Sequence, residues 1–410
     1  MDYAKLQVEN FFRYLSIPSQ SDANSTTLPT TQGQYALAKL LKDELEELGL
    51  ENIKLQENAI LTAKLKGNVD GKKSIGFCAH LDTVDVGLSP EIHPQILRFS
   101  GEPLILNAKK NIIFDPTKRP EIMKYKGEEI IFTDGTSVLG ADDKSAIATI
   151  MTLLAYLKNE NPPHGDIYVC FLPDEEVGLR GAKALELGDF PADLTYTIDC
   201  CQEGELVYET FNAGSAIVHI EGVTAHPMSA KGVLVNPTLV AIDIANHFDR
   251  LKTPENTEGY EGYIWIQELQ SNQAQAKLTL NIRDHNKEKY ESKKAYISQV
   301  VELIKARYPR AKIRLEMQDV YSNIADAMNE DNQEALKVLK EAFGKCGIAP
   351  IIFPMRGGTD GSALSSKGVF TPNFFTGAHN FHSIYEFLPL KSFYNSFQVA
   401  KSIVEITTKG

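Results

Sequence analysis

Three short apolar runs in this chain each close on a histidine or an acid. Ser74–Ala79 runs into His80-Leu81-Asp82. Ile167–Leu172 runs into Pro173-Asp174-Glu175-Glu176, and Leu194–Ile198 into Asp199. Continuous apolar runs of this length suit strands buried on both faces rather than strands with one wet face. Helical patterns lie between them. Leu37, Leu40, Leu41, Leu45 and Leu48 recur at helical spacing, with Gly49 placed to end the helix. Ile147, Ile150, Met151, Leu154 and Leu157 form a second set. Alternating helices and buried strands predict an α/β fold with a sheet between helices. Sites in such sheets gather at the carboxyl ends of the strands, where this chain places its charged residues.

The pattern changes near Tyr208. Ala216–Glu221 reads as a strand, and Asn236-Pro237 as the start of a helix carrying Leu239, Val240, Ile244 and Phe248. Strands at Tyr263–Leu269 and Ala276–Ile282, a helix over Glu288–Arg307 and a strand near Lys312–Met317 follow. That order is the split βαβ pattern of a ferredoxin-like unit. The α/β pattern returns after Tyr321. A length of 410 residues leaves room for two domains. The expected division is one α/β domain from residues 1–209 and 320–410, with a smaller α+β domain, 210–319, inserted. A further stretch, about Asp85 to Gly135, carries strand-like pieces at Ile112–Phe114 and Glu129–Phe132 and reads as a hairpin-bearing insertion.

Charge narrows the function classes. The chain has 42 basic and 54 acidic residues, a net charge of −12, which makes it a poor match for nucleic-acid backbones. No apolar run approaches the ~18 residues that span a bilayer, and the start of the chain lacks a signal-peptide pattern. The 5 cysteines are odd in number and show no CxxC spacing, which fits a reducing, cytoplasmic setting.

Singly, each charged cluster has a bland reading. His80 and Asp82 face the same side of a strand, so Asp82 can engage the second nitrogen of a ligand histidine, or the two form a surface pair. Asp142 and Asp143, in Gly140-Ala141-Asp142-Asp143-Lys144, cap a helix, or one bridges two cations while the other orients. Asp174, Glu175 and Glu176 form a solvated loop, or they crowd charges that need a cation. Asp199 is one more acid at a strand end. His382 stands in Asn380-Phe381-His382-Ser383-Ile384-Tyr385-Glu386, with His379 as a nearby competitor. Together these groups offer two histidines, three carboxylates and a spare glutamate. That exceeds what one catalytic zinc needs and fits two divalent ions with one bridging carboxylate.

In chain order, the elements HLDT, GADDK, PDEEVG, TID and HSxxE resemble the M20 family of co-catalytic zinc peptidases, and within it the cytosolic tripeptide-cleaving aminopeptidases. The motifs run from His80 to His382, so the likeness spans most of the chain. It implies a zinc-peptidase-like α/β catalytic domain with a mixed sheet between helices, and an inserted ferredoxin-like lid through which the protein forms a homodimer. It also implies that His80 and Asp199 bind one metal, that Glu176 and His382 bind the other, and that Asp142 bridges them. Glu175 falls on the general base and Asp82 on the acid that orients His80. Aspartate rather than glutamate at position 199 leans toward aminopeptidases. His226, in Thr224-Ala225-His226-Pro227, matches a lid histidine that stabilises the oxyanion; on its own it reads as a turn histidine. Arg283 and Arg356 match arginines that grip a substrate carboxylate, where a guanidinium offers a bidentate fork; otherwise they read as a salt bridge to Asp284 and a solvated loop charge. The implied cofactor is a pair of divalent ions, zinc foremost, with cobalt and manganese accepted by the same ligands. The alternatives are an amidohydrolase or dipeptidase acting on N-acyl amino acids or dipeptides, and a peptide-binding protein without catalysis.

Overall fold

The computed structural model describes residues 1–409. Eight strands form its main sheet, in the order Glu51–Leu55, Leu61–Leu65, Ile167–Leu172, Ile75–His80, Leu194–Cys200, Asn373–Phe375, Glu205–Val207 and Ile351–Ile352. The sheet is mixed. Ile75–His80 runs parallel to both its neighbours, and Asn373–Phe375 runs parallel to Leu194–Cys200. Leu61–Leu65 runs antiparallel to both its neighbours, and Glu205–Val207 runs antiparallel to Asn373–Phe375 and parallel to Ile351–Ile352. Every residue of Ile75–His80 is buried, as the continuous apolar run predicts.

Alternate residues of these strands face opposite cores. Phe77, Val169 and Ile198 belong to the large core, over which the helices Tyr3–Leu15, Ala141–Glu160 and Leu390–Lys409 pack. Cys78, Cys170 and Leu172 belong to a smaller one, covered by the short helices Arg180–Ala184 and Asp360–Ser365. Burying one such side chain is worth roughly 1.5–3 kcal/mol. The helix Gln32–Glu47 buries Leu37, Leu41 and Leu45 and leaves Leu40 and Leu48 at its margin. Just past its end Gly49 takes a φ of 71°, which glycine adopts without a Cβ penalty.

A second, fully antiparallel sheet runs Tyr263–Ser271, Gln275–Asp284, Asn212–Glu221, Lys312–Tyr321. The helices Pro237–Ala245 and Lys287–Arg307 cover one face over a separate core that includes Val218, Ile244, Leu280 and Val301. Asn236 caps the first of them by accepting the Thr238 N–H at 3.0 Å. Strand and helix order follow the ferredoxin-like expectation, and the last strand continues to Tyr321.

The stretch between Asp85 and Gly135 holds more strand than its sequence suggests. Ile112–Phe114 forms a hairpin with Leu104–Asn107, which the sequence does not mark as a strand, and not with Glu129–Phe132. Glu129–Thr133 lies between Pro94–Arg98 and the distal Phe387–Pro389 in a three-stranded sheet. Phe99, Phe114, Ile122, Phe132 and Phe387 close a small core there. Among the described residues, no helix is long and apolar enough to cross a membrane.

Candidate metal centre

His80 ends its strand as the sheet opens, and its imidazole is buried. Its Nδ1 meets the Asp82 carbonyl at 3.0 Å and stands 3.4 Å from the Asp82 carboxylate. The aspartate does more than hold the ring. Its two oxygens also accept the Glu175 N–H at 3.0 Å and the Glu176 N–H at 3.2 Å. A single fully buried carboxylate thus fixes both the ligand histidine and the acidic turn behind the neighbouring strand.

The other nitrogen of His80 points at Asp142. His80 Nε2 lies 2.8 Å from Asp142 Oδ1 and 3.9 Å from Asp199 Oδ1. His382 Nε2 lies 3.2 Å from Asp142 Oδ2 and 2.9 Å from Glu176 Oε1. The two oxygens of Asp142 therefore face two different imidazoles, as a bridging carboxylate must. Donor atoms of His80, Asp142, Asp143 and Asp199 lie within 4.8 Å of one another, and so do those of Asp142, Glu176 and His382.

The capping reading of Asp142 and Asp143 fails. Gly140 occupies the N-cap position, no side chain caps this helix, and both aspartates have non-helical backbone angles. Asp143 instead accepts the backbone N–H of His80 at 3.1 Å. The solvated-loop reading of the three acids fails too. Asp174 is buried and accepts hydrogen bonds from Thr30 and Gln34.

This donor set fits a pair of divalent cations. Burial pushes the carboxyls of Glu175, Glu176 and Asp199 above their ordinary range, and the neighbouring acids push the same way. The Oε1 of Glu176 is buried and, despite its closeness to His382, has no hydrogen-bond donor. A 2.9 Å approach of His382 Nε2 to that oxygen without hydrogen-bond alignment is the arrangement of two donors turned toward one ion. The mixed carboxylate–imidazole chemistry suits zinc and its neighbours.

Glu386, a motif residue to which the sequence assigns no role, holds the segment that carries Asp142. It is buried and accepts the N–H groups of Leu139, Gly140, Ala141 and Asp142 at 2.7, 3.0, 2.8 and 3.3 Å. Its donors are backbone groups, which no side-chain pattern announces.

The structure does not join the three substrate candidates to this cluster: among the described residues none hydrogen-bonds or ion-pairs with it. His226 is exposed at the start of the Pro227–Ser229 turn, and its Nδ1 accepts the Met228 N–H at 3.2 Å. Arg283 is half-buried and donates from Nη1 to the Gly214 and Ile282 carbonyls. It does not form the expected pair with Asp284, which binds Lys293 instead. Arg356 is no solvated loop charge. It donates to Thr257 Oγ1 and to the Gly259 and Glu261 carbonyls, and lies over the Phe211 and Tyr263 rings.

Known proteins resemble this chain in sequence and in fold. The sequence profile of peptidase family M20/M25/M40 matches residues 140–406, and that of peptidase family M28 matches 61–193. A peptidase T-like protein of Yersinia pestis is 55% identical over 393 residues, covering 96% of this chain and 95% of its own. A tripeptidase from Staphylococcus aureus superposes with a TM-score of 0.77 at 22% identity, and the aminopeptidase PepT from Bacillus cereus with 0.78 at 22%, each alignment covering 99% of both chains. With half of its relative's residues retained from end to end and the M20 profile running from the Gly140–Asp143 segment to the last helix, this chain belongs to the M20 family of peptidases.

Proposed function

We infer that the chain is a dinuclear-metal aminopeptidase that releases the N-terminal residue of tripeptides. The observation that carries this reading is Asp142, whose two oxygens each face a histidine from opposite ends of the sequence, with Glu175 alongside. His80 and Asp199 would hold one ion and Glu176 and His382 the other, most plausibly zinc, with Asp142 shared. When bound, such a pair polarises the scissile carbonyl and makes water a better nucleophile. Glu175 takes the proton of the attacking water and passes it to the leaving amine. Burial and the neighbouring acids raise its proton affinity above that of an ordinary carboxylate, which favours holding the proton between the two transfers.

The ferredoxin-like unit, 210–319, acts as a lid on the catalytic body, 1–209 and 320–410. His226 stabilises the oxyanion from it, and Arg283 and Arg356 take the peptide's C-terminal carboxylate, so that peptide length is measured from a fixed charge. Support for Arg283 comes from its place beside Tyr321. That ring packs on the Leu172–Leu179 cluster flanking the Glu175 turn. Exposed Leu239, Ile242 and Leu303 on the lid helices supply apolar surface for a homodimer. Five free thiols suit the cytoplasm.

Glu175→Gln tests the reading. Metal content stays near that of the parent while tripeptide hydrolysis falls ~10²–10⁴-fold, the usual worth of a general base. Activity retained in that variant removes Glu175 from the role. A panel of tripeptides, dipeptides and N-acetyl amino acids separates an aminopeptidase from an amidohydrolase. A protein that binds tripeptide without turnover when metal-replete is a binding protein.

A further inference from the structure

The distal ligand His382 sits on a loop closed by reciprocal backbone hydrogen bonds between His379 and Phe387, at 2.9 and 3.1 Å. This loop is awkward. Asn380 and His382 have φ values of 58° and 60°, a region that costs a non-glycine residue of order 1–3 kcal/mol. Something outside the loop must hold it.

The holding contacts come from one place. The Tyr125 hydroxyl meets His379 Nε2 at 2.7 Å. Glu121 Oε1 accepts the Asn380 side-chain N–H at 2.7 Å. The Arg119 guanidinium lies 3.4 Å from the centroid of the Tyr385 ring. Phe387 pairs with Phe132 across the three-stranded sheet and packs against Phe114. All five gripping residues belong to the insertion between Asp85 and Gly135. All four gripped positions flank His382 or Glu386. The same loop therefore carries one terminal metal ligand and the acid that cradles the bridging one.

We propose that the 85–135 insertion is a buttress for the second metal: Arg119, Glu121 and Tyr125 are positioning residues that set His382 against Glu176 and Asp142. This rests on the two-metal reading above. The ion held by His80 and Asp199 meets this loop only through the shared Asp142, whereas the other depends on His382 itself, so loosening the buttress weakens the second ion more than the first. Residues that orient metal ligands typically contribute ~10–100-fold in affinity.

The test uses full-length Arg119→Ala and Tyr125→Phe, each titrated with zinc against a competing chelator. Lys110→Ala, on the exposed hairpin, is the control. The parent takes up two ions per chain. In both variants one ion weakens tenfold or more, and the other changes several-fold less. Tripeptidase activity returns in excess zinc, and Arg119→Lys restores most of the lost affinity. Two ions bound with parental affinity in both variants would overturn the proposal. So would parallel weakening of both ions with a lowered Tm, which marks general destabilisation. A parent that takes up a single ion defeats the two-metal reading itself, a different failure, read before any variant is made.

Discussion

Several acids in this chain serve structure at one remove from chemistry. Glu386 satisfies four buried backbone N–H groups at once. Glu386→Ala leaves them without an acceptor, at ~1–3 kcal/mol for each group that water cannot reach. Urea denaturation should show a loss of several kcal/mol, together with weaker metal binding. His379 gives a pH signature. Burial holds its imidazole neutral and lowers its pKa to about 3, against ~6.5 in an unfolded chain. Between those values the unfolded state binds the extra proton, so stability falls as pH drops from about 6.5 toward 3, by up to ~1.4 kcal/mol per pH unit. Urea midpoints at pH 7 and pH 5 should separate less in His379→Asn than in the parent. At this scale His80, Glu176 and Asp199 were legible as candidate ligands because they close or follow apolar strands, whereas Asp142 at a helix start and His382 on a loop drew their roles from the family resemblance. Glu386 and Asp174 were not legible. Their partners are backbone amides and a distant Thr–Gln pair, and nothing in the local sequence marks them.

The elements explain why some of the fold could be read and some not. Ile75–His80 and Ile167–Leu172 are buried on both faces and announce themselves as apolar runs. Pro94–Arg98 has no buried residue and begins with proline, and Phe387–Pro389 is three residues long. Neither carries a period long enough to detect, and only pairing with Glu129–Thr133 makes them strands. Close packing of short elements also carries a prediction. A Cβ at Gly181, in the helix after the acidic turn, would lie 2.4 Å from the Pro173 carbonyl oxygen. That oxygen belongs to the backbone leading into Glu175 and cannot swing aside. Gly181→Ala should cost ~1–3 kcal/mol as overpacking and lower kcat through displacement of Glu175, checked by thermal melts and steady-state kinetics. The substrate arginines show the limit of pattern reading. Arg356 has the residue type that grips a carboxylate, but its donors engage the 257–261 turn of the lid in this conformation.

On the scale of the whole molecule, metal and fold are linked. The proposed ligands come from five separate stretches of chain, so ions that bind only the folded state add to its stability by mass action. Zinc at 100 times its dissociation constant adds ~2.7 kcal/mol per site, and chelation should lower Tm accordingly in differential scanning calorimetry. The lid lies between the two groups of ligands in the sequence, and this order has a consequence for biosynthesis. A ribosome paused anywhere in the lid has already released His80, Asp142, Glu176 and Asp199, but not His382 or the glutamate that seats the bridge. Interrupted translation products would thus be unable to cut peptides, and the cell is spared a half-built hydrolase at every stage before the last strands and helix are laid down.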